Sequence, residues 1–287
     1  MLHRLLLLWI ISLSPMVPLS LAQDQDSFPE DGAQAADPNF VDPAPAESDP
    51  NALKLIAQAI KIRGGEANMR AIRSVQSEGT YFMGNKSFPF VSYHTAPSSY
   101  RFEYEVEKRY RQKARMVQGT DGQVSWSVDG TAEIPEGIRL PGAEAKALVR
   151  SNTLFGPLLD FEQRNIRFAF EGIAKFRGRS VYMVKIYYPD GVREWMYFDQ
   201  KNGMPVLHSK EEKFANAVRL IDHVYLNYKK VNGVFFPVKI EKVLRGERIG
   251  SLEIESIQAN LPVDSYLFEL PESTRQEFWL RQESSTN

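Results

Sequence analysis

Five runs decide the fold: REWMYFD (193–199), GMPVLHSKEEKF (203–214), AVRLIDHVYLNYKKV (217–231), VFFPVKIEKVL (234–244) and RIGSLEIESI (248–257). Each is rich in aromatic and β-branched residues, and turn formers, Asn202-Gly203 and Asn232-Gly233 among them, separate the runs. Together they read as one long antiparallel meander. A sheet this wide must have its apolar face covered, and the only candidates are short amphipathic segments upstream. The fold class that follows is α+β: a large curved antiparallel sheet with a few small helices. Curvature is expected because VYMVKIYY (181–188) and WMYF (195–198) are apolar on both faces, whereas an open sheet with one wet face alternates more cleanly.

Upstream of the meander, Tyr100 to Val106 gives the cleanest alternation. Tyr100, Phe102, Tyr104 and Val106 fall on one face; Arg101, Glu103, Glu105 and Glu107 fall on the other, which reads as solvated. Strands are also expected at 77–83 and 88–95 around the Gly84-Asn85-Lys86 turn, at 109–117, at 123–128, briefly to Ile134 after an Asp129-Gly130 hairpin turn, at 166–176 and at 181–188. A helix is predicted after Ser48 or Asp49. It has Pro50 in its first turn, Leu53, Ile56, Ala57 and Ile60 on one face, and Gly64-Gly65 as its stop. A helical turn over 66–72 and a helix over 141–151, with Ala143, Ala147 and Leu148 on one face, follow by the same reasoning. LFGPLLDF (154–161) is too short for a helix and too apolar for an exposed loop, so it is buried or lines something.

The amino end sets the compartment. His3 and Arg4, the apolar run 5–13 and Ser20-Leu21-Ala22 have the pattern of a cleavable secretory signal over residues 1–22. The competing reading, an uncleaved anchor, is weakened by Pro15 and Pro18. Residues 23–50 then read as a disordered, acidic, Pro/Ala-rich linker ahead of a single domain over 51–287. Residues 1–50 hold Asp24, Asp26, Glu30, Asp31, Asp37, Asp42, Glu47 and Asp49 against Arg4 alone. The overall charge of −1 therefore hides a basic remainder, suited to an anionic partner or to solubility alone.

Chemistry is sparse. With no cysteine the chain has no disulfide, thiol nucleophile, Cys-based metal site or acylatable lipobox. His94, His208 and His223 share no metal-ligand spacing, and there is no G-x-S-x-G and no phosphate loop. Neither a catalytic residue, a metal nor a cofactor is expected. The basic run KRYRQKAR (108–115) reads as the outer face of one strand, so no nucleic acid is expected either. What remains is apolar: Phe82, Phe90, Tyr100, Phe102, Tyr104, Trp126, Leu148, Leu154, Phe155, Leu158, Tyr182, Val184, Trp195, Tyr197 and Phe236. As a set they fit either a filled core or a pocket for an alkyl chain, where each buried CH₂ is worth about 0.8 kcal/mol.

The order of several pieces then becomes informative: GGEANMRAIRSVQSEGTY (64–81), Asp121-Gly122 before Trp126, YFDQKNGMPV (197–206), YLNYKKVNGVFFPVKI (225–240) and NLPVDSYLFELP (260–271). Over residues 52–272 the chain resembles the outer-membrane lipoprotein-sorting, LolA/LolB-like superfamily. The resemblance implies an unclosed, strongly curved antiparallel half-barrel whose concave face is lidded by short helices. It also implies a periplasmic, non-enzymatic carrier whose interior takes a lipid or acylated lipoprotein; the apolar set from Phe82 to Phe236 given above is its candidate lining, a monomer is expected, and a membrane surface or an envelope protein is the further partner expected. Two rivals stay open: an envelope scaffold with a packed core, and a hydrolase with a carboxylate pair about 5 to 9 Å apart. A cavity below about 300 Å³ favours the scaffold.

Overall fold

The computed structural model describes residues 42–108, 112–214 and 217–271. The expected signal (1–22), most of the expected linker and the residues after Pro271 lie outside them. Strands β1 (Ser74–Met83), β2 (Lys86–Thr95), β3 (Ser99–Glu107), β4 (Lys113–Thr120), β5 (Ser125–Asp129) and β6 (Gly137–Arg139) form the first half of the chain's sheet. Strands β7 (Arg167–Phe176), β8 (Arg179–Tyr187), β9 (Arg193–Asp199), β10 (Pro205–Phe214), β11 (Ala217–Val231), β12 (Val234–Leu244) and β13 (Glu247–Ala259) form the second. Every neighbour along the order β6-β5-β4-β3-β2-β1-β13-β12-β11-β10-β9-β8-β7 is antiparallel. The outermost strands β6 and β7 do not pair with each other, so the sheet does not close into a barrel.

Three helices, α1 (Pro50–Ile62), α2 (Glu66–Ala71) and α3 (Gly142–Asn152), lid the concave face. The curvature shows in α3, which touches β3, β4 and β5 on one side and β10 and β11 on the other. Strands β3 and β10 are six spacings apart in the sheet. Laid flat, that is about 29 Å at about 4.8 Å per strand, far wider than one helix, so the sheet curls around it.

Asp49 caps α1 by accepting from the Asn51 amide at 2.6 Å, and Pro50 occupies the first turn, where its missing N–H is not needed. The buried residues are Ala52, Ile56 and Ala59. Ala57, expected on that face, is exposed, because the helix turns its two alanines inward and approaches the sheet closely. Gly64, at φ 132°, ends the helix, and a Cβ there would come within 2.3 Å of the Gly233 carbonyl oxygen in the β11–β12 turn. The same junction is stitched by the Phe235 amide donating to Arg63 O at 2.8 Å.

Four other expectations need correction. The brief strand to Ile134 is absent, and β6 lies at 137–139 instead. Ala143 is exposed while Ala147 and Leu148 are buried. Arg101 and Glu103, read as solvated, are buried: Arg101 pairs with Glu103 at 2.7 Å and donates to Leu267 O at 3.1 Å. The 3-10 turn Ser265–Phe268 has folded over that face, and Trp126 donates to Phe268 O at 2.8 Å beneath it. Finally, the stretch taken as linker is docked where it is described. Lys185 holds Asp42 at 2.5 Å, and the Asp49 amide donates to Phe168 O at 2.8 Å.

Candidate functional site

A cavity of about 830 Å³ opens between the helices and one end of the sheet. Its apolar lining comes from Met69 of α2, Ile72, Ala145 and Val149 of α3, Leu154, Phe155, Leu159, Ile166 and Tyr188. The turns at Ala96–Ser98, Gly122–Gln123 and Tyr188–Asp190 add further wall, and charged side chains from α2, α3 and the 153–166 loop also contribute. Segments distant in the chain meet here because hairpin ends gather at one rim of a curled sheet.

The loop over this cavity is conformationally unusual. Phe155, Asp160 and Asn165 all have left-handed backbones, at φ 65°, 56° and 52°. For Phe155 this costs on the order of 1–2 kcal/mol. The loop is held by Arg164 donating to Gly156 O at 2.7 Å and by Arg70 reaching Asp160 at 2.7 Å. Arg150 is buried in the lining, where it bridges Asp190 at 2.8 Å and Glu211 at 3.2 Å and covers the Tyr188 ring at 5.1 Å. Further contacts bind α3 to β10: Lys210 donates to Ser151 O at 2.8 Å, Ser151 Oγ donates to Glu211 O, and Lys213 meets Glu144 at 2.6 Å.

The sheet register distributes the apolar candidates over two faces. Phe90, Tyr100, Phe102, Tyr104, Tyr182 and Val184 share the concave face with the helices. Phe90 stacks on Phe102 at 5.2 Å, and Tyr104 meets Tyr81 edge-on at 5.4 Å, forming an aromatic wall on β1–β3. Tyr182, Val184, Leu158 and Phe236 belong to the core against α1, Leu148 is buried on α3, and Phe236 touches Phe155 at 5.8 Å. Leu154 and Phe155 line the cavity itself. Phe82, Trp126, Trp195 and Tyr197 alternate to the convex face, so they cannot share one cavity with the rest. Trp126 packs with Val117 and Val128, while Tyr197 and Trp195 pack with Val181, Leu207 and Val224.

The register also assembles a polar cluster that the spacing of histidines along the chain does not reveal. His208 and His223 are direct cross-strand partners on β10 and β11. His208 lies 2.9 Å from Glu194, which also accepts from Tyr188 Oη at 3.0 Å. His223 lies 2.7 Å from Glu212, which Lys242 also contacts. Pairs in this hairpin satisfy i + j constant about the Phe214↔Ala217 closure, so knowing the turn position would have been enough to find them. Burial works against the charges of Glu194 and Glu212. It is outweighed by His208 at Glu194, and by Lys242 and His223 at Glu212, so both carboxyls fall below their ordinary range. Among the described residues no group of three or more acidic or imidazole side chains could hold a metal, and no helix is long and apolar enough to cross a membrane.

Burial, reinforced by the positive charge of Lys210, pushes His94 down to about 4 and His223 down to about 3. His223 is thus neutral near neutrality and donates its Nε2 proton to Glu212. In the unfolded chain both imidazoles titrate near about 6.5. Their stabilisation is therefore complete above that value and is lost as pH falls from it toward the folded-state values, by about 1.4 kcal/mol per pH unit per histidine. Urea midpoints measured between pH 7 and 4.5 should fall faster for the native protein than for a His94→Phe/His223→Gln variant. Parallel pH profiles would contradict neutral burial.

No family model and no curated protein matches the sequence. Solved structures do. An outer membrane lipoprotein-sorting protein domain from Vibrio parahaemolyticus superposes with a TM-score of 0.51 at 12% identity, covering 76% of this chain and 97% of that one. A LolA superfamily protein from Nitrosomonas europaea gives 0.47 at 14% identity, covering 76% and 97%. At such identities the likeness speaks for architecture alone. The unclosed, helix-lidded antiparallel half-barrel of this chain is the fold of the Vibrio parahaemolyticus domain.

Proposed function

We propose that this chain is a periplasmic, non-enzymatic carrier that holds the apolar part of a lipid or acylated lipoprotein in the cavity beneath α2, α3 and the 154–165 loop. The observation that carries this reading is the cavity itself. Its volume of about 830 Å³ lies within the roughly 300–1,000 Å³ range of sites that enclose small ligands and well above what a packed scaffold leaves. Leu154 and Phe155 are the contacts retained from the sequence, and the aromatic wall of Phe90, Phe102 and Tyr104 extends the apolar surface along the concave face. Burial of alkyl chain supplies the affinity, and the loop with three left-handed residues is the gate. The fold's likeness to a lipoprotein-sorting domain supports the same class of cargo, and the amino-terminal signal pattern supports the compartment.

The test is to express the full chain in a bacterial periplasm, purify it without detergent and identify lipids in an organic extract by mass spectrometry. A stoichiometric lipid or acylated peptide is expected. An empty protein that also fails to take up a fluorescent fatty acid would leave the envelope-scaffold reading in its place. Ala145→Trp puts an indole into the cavity from the half-buried face of α3. Displacing only two CH₂ groups at about 0.8 kcal/mol each weakens uptake by about tenfold, with the thermal midpoint near that of the native protein. Undiminished uptake would place the cargo elsewhere.

A further inference from the structure

We propose that the cavity selects an amphiphile with an anionic head, a carboxylate or a phosphate ester, and that Arg73 and Lys146 are the residues that hold it. This rests on the carrier reading above and narrows it to a class of cargo.

The argument begins with charge. Five cationic side chains line the cavity, Arg70, Arg73, Lys146, Arg150 and Arg164, against two acids, Asp160 and Asp190. Both acids are already engaged: Asp160 by Arg70, and Asp190 by Arg150, which Glu211 shares. Arg164 is turned to the Gly156 carbonyl and helps fix the loop. Arg73 and Lys146 make no ion pair among the described residues. They come from different elements, Arg73 at the entrance to β1 and Lys146 on α3; both line the cavity and are exposed, so they sit toward its mouth, while Met69, Ile72, Leu159 and Ile166 are buried in its lining and form an apolar floor.

This layout separates the two ends of a ligand. The floor offers no acceptor or donor for a polar head, so a head group stays at the mouth while its chain goes inward. At the mouth the uncompensated charges are positive. An arginine fork presents several donors to a carboxylate or phosphate, and a lysine adds a mobile point charge. Low-dielectric walls strengthen that attraction relative to open water. A neutral head gains the chain burial and none of this. A volume suited to one small ligand also favours a single free amphiphile.

The experiment is competition against a bound fluorescent fatty acid, using the full chain and three ligands with the same oleoyl chain: oleate, oleoyl lysophosphatidic acid and monooleoylglycerol. At least one anionic ligand is expected to bind about tenfold more tightly than the glycerol ester, the worth of one charge-assisted contact. Oleate alone showing the preference identifies a carboxylate head, and the lysophosphatidic acid alone identifies a phosphate. The preference should shrink as salt is raised, because the mouth is open to screening. It should fall toward unity in Arg73→Gln/Lys146→Gln, whose exposed positions leave folding intact, and persist in Arg73→Lys. Equal binding of all three ligands overturns the head-group assignment while leaving the carrier reading in place. A preference that survives the double variant overturns the assignment to these two residues. Failure of every ligand to bind removes the carrier reading, and this proposal falls with it.

Discussion

Arg101→Met is expected to lower the unfolding free energy by about 3–5 kcal/mol, the usual consequence of leaving one member of a buried ion pair without its partner. Arg101 and Glu103 are 5% and 8% exposed, and the pair is closed by two hydrogen bonds to Glu103 Oε2 at 2.7 and 3.0 Å. The substitution also removes the donor to Leu267 O and the cation stacked 5.7 Å from the Trp126 ring. Arg115, 3.7 Å from the other Glu103 oxygen, offers only partial relief. Urea denaturation followed by tryptophan fluorescence measures the loss. A second variant, Arg101→Met/Glu103→Leu, is expected to recover most of it, because two apolar residues of similar size need no desolvated charge. If the single variant loses less than about 1 kcal/mol, the pair is hydrated and the carboxyl-terminal segment does not seal this face.

Trp126→Ala is the companion test, with an expected cost of about 3–5 kcal/mol. The indole is fully buried, touches Val117 and Val128, and donates to Phe268 O. Gly119 lies directly over the ring: a Cβ there would come within 2.6 Å of Trp126 Cζ2. Nothing larger than glycine fits above the ring, and nothing else fills the space it leaves. If Trp126 belongs to this packing, the variant binds lipid normally per folded molecule while unfolding at lower urea. Loss of lipid uptake with unchanged stability would return Trp126 to the ligand site. Since Trp126 and Arg101 touch, their effects should not add.

Much of the architecture was legible because turn chemistry is local. The meander from β9 to β13 could be read because Asn232 and Gly233, at φ 45° and 85°, form the left-handed pair that a two-residue hairpin requires, and Asn202-Gly203 marks another break. Trp126 and Arg101 were misread for a shared reason. Alternation says which residues lie on the same face, and says nothing about which face a distant segment will cover. The segment that decided it, Ser265–Phe268, is a short 3-10 turn with no periodicity of its own. The cavity was illegible for a related reason: apart from the loop that includes 154–161, its walls are helix faces and hairpin ends drawn together by curvature from distant stretches. Helix α1 was placed correctly but rotated slightly, since alanine counts as apolar without showing which alanine a close approach needs.

The seam between β1 and β13 has a consequence for how the chain is made. Strands β1–β6 pair locally with one another, as do β7–β13, and among the described residues the two meanders pair strand to strand only where Val75 meets Ala259 and the residues that follow. Helix α1 comes before both meanders in the chain, yet it packs on β7 and is stitched to β12 in the later one. A chain emerging amino end first can therefore form its early meander at once, but must hold α1 and the open edge of β1 in waiting until almost the whole domain has been delivered. Contacts of such long sequence separation form slowly, and an unpaired edge in the interval is open to the wrong partner. The edge of β1 therefore finds its partner only when β13, the last strand in the chain order, has been delivered.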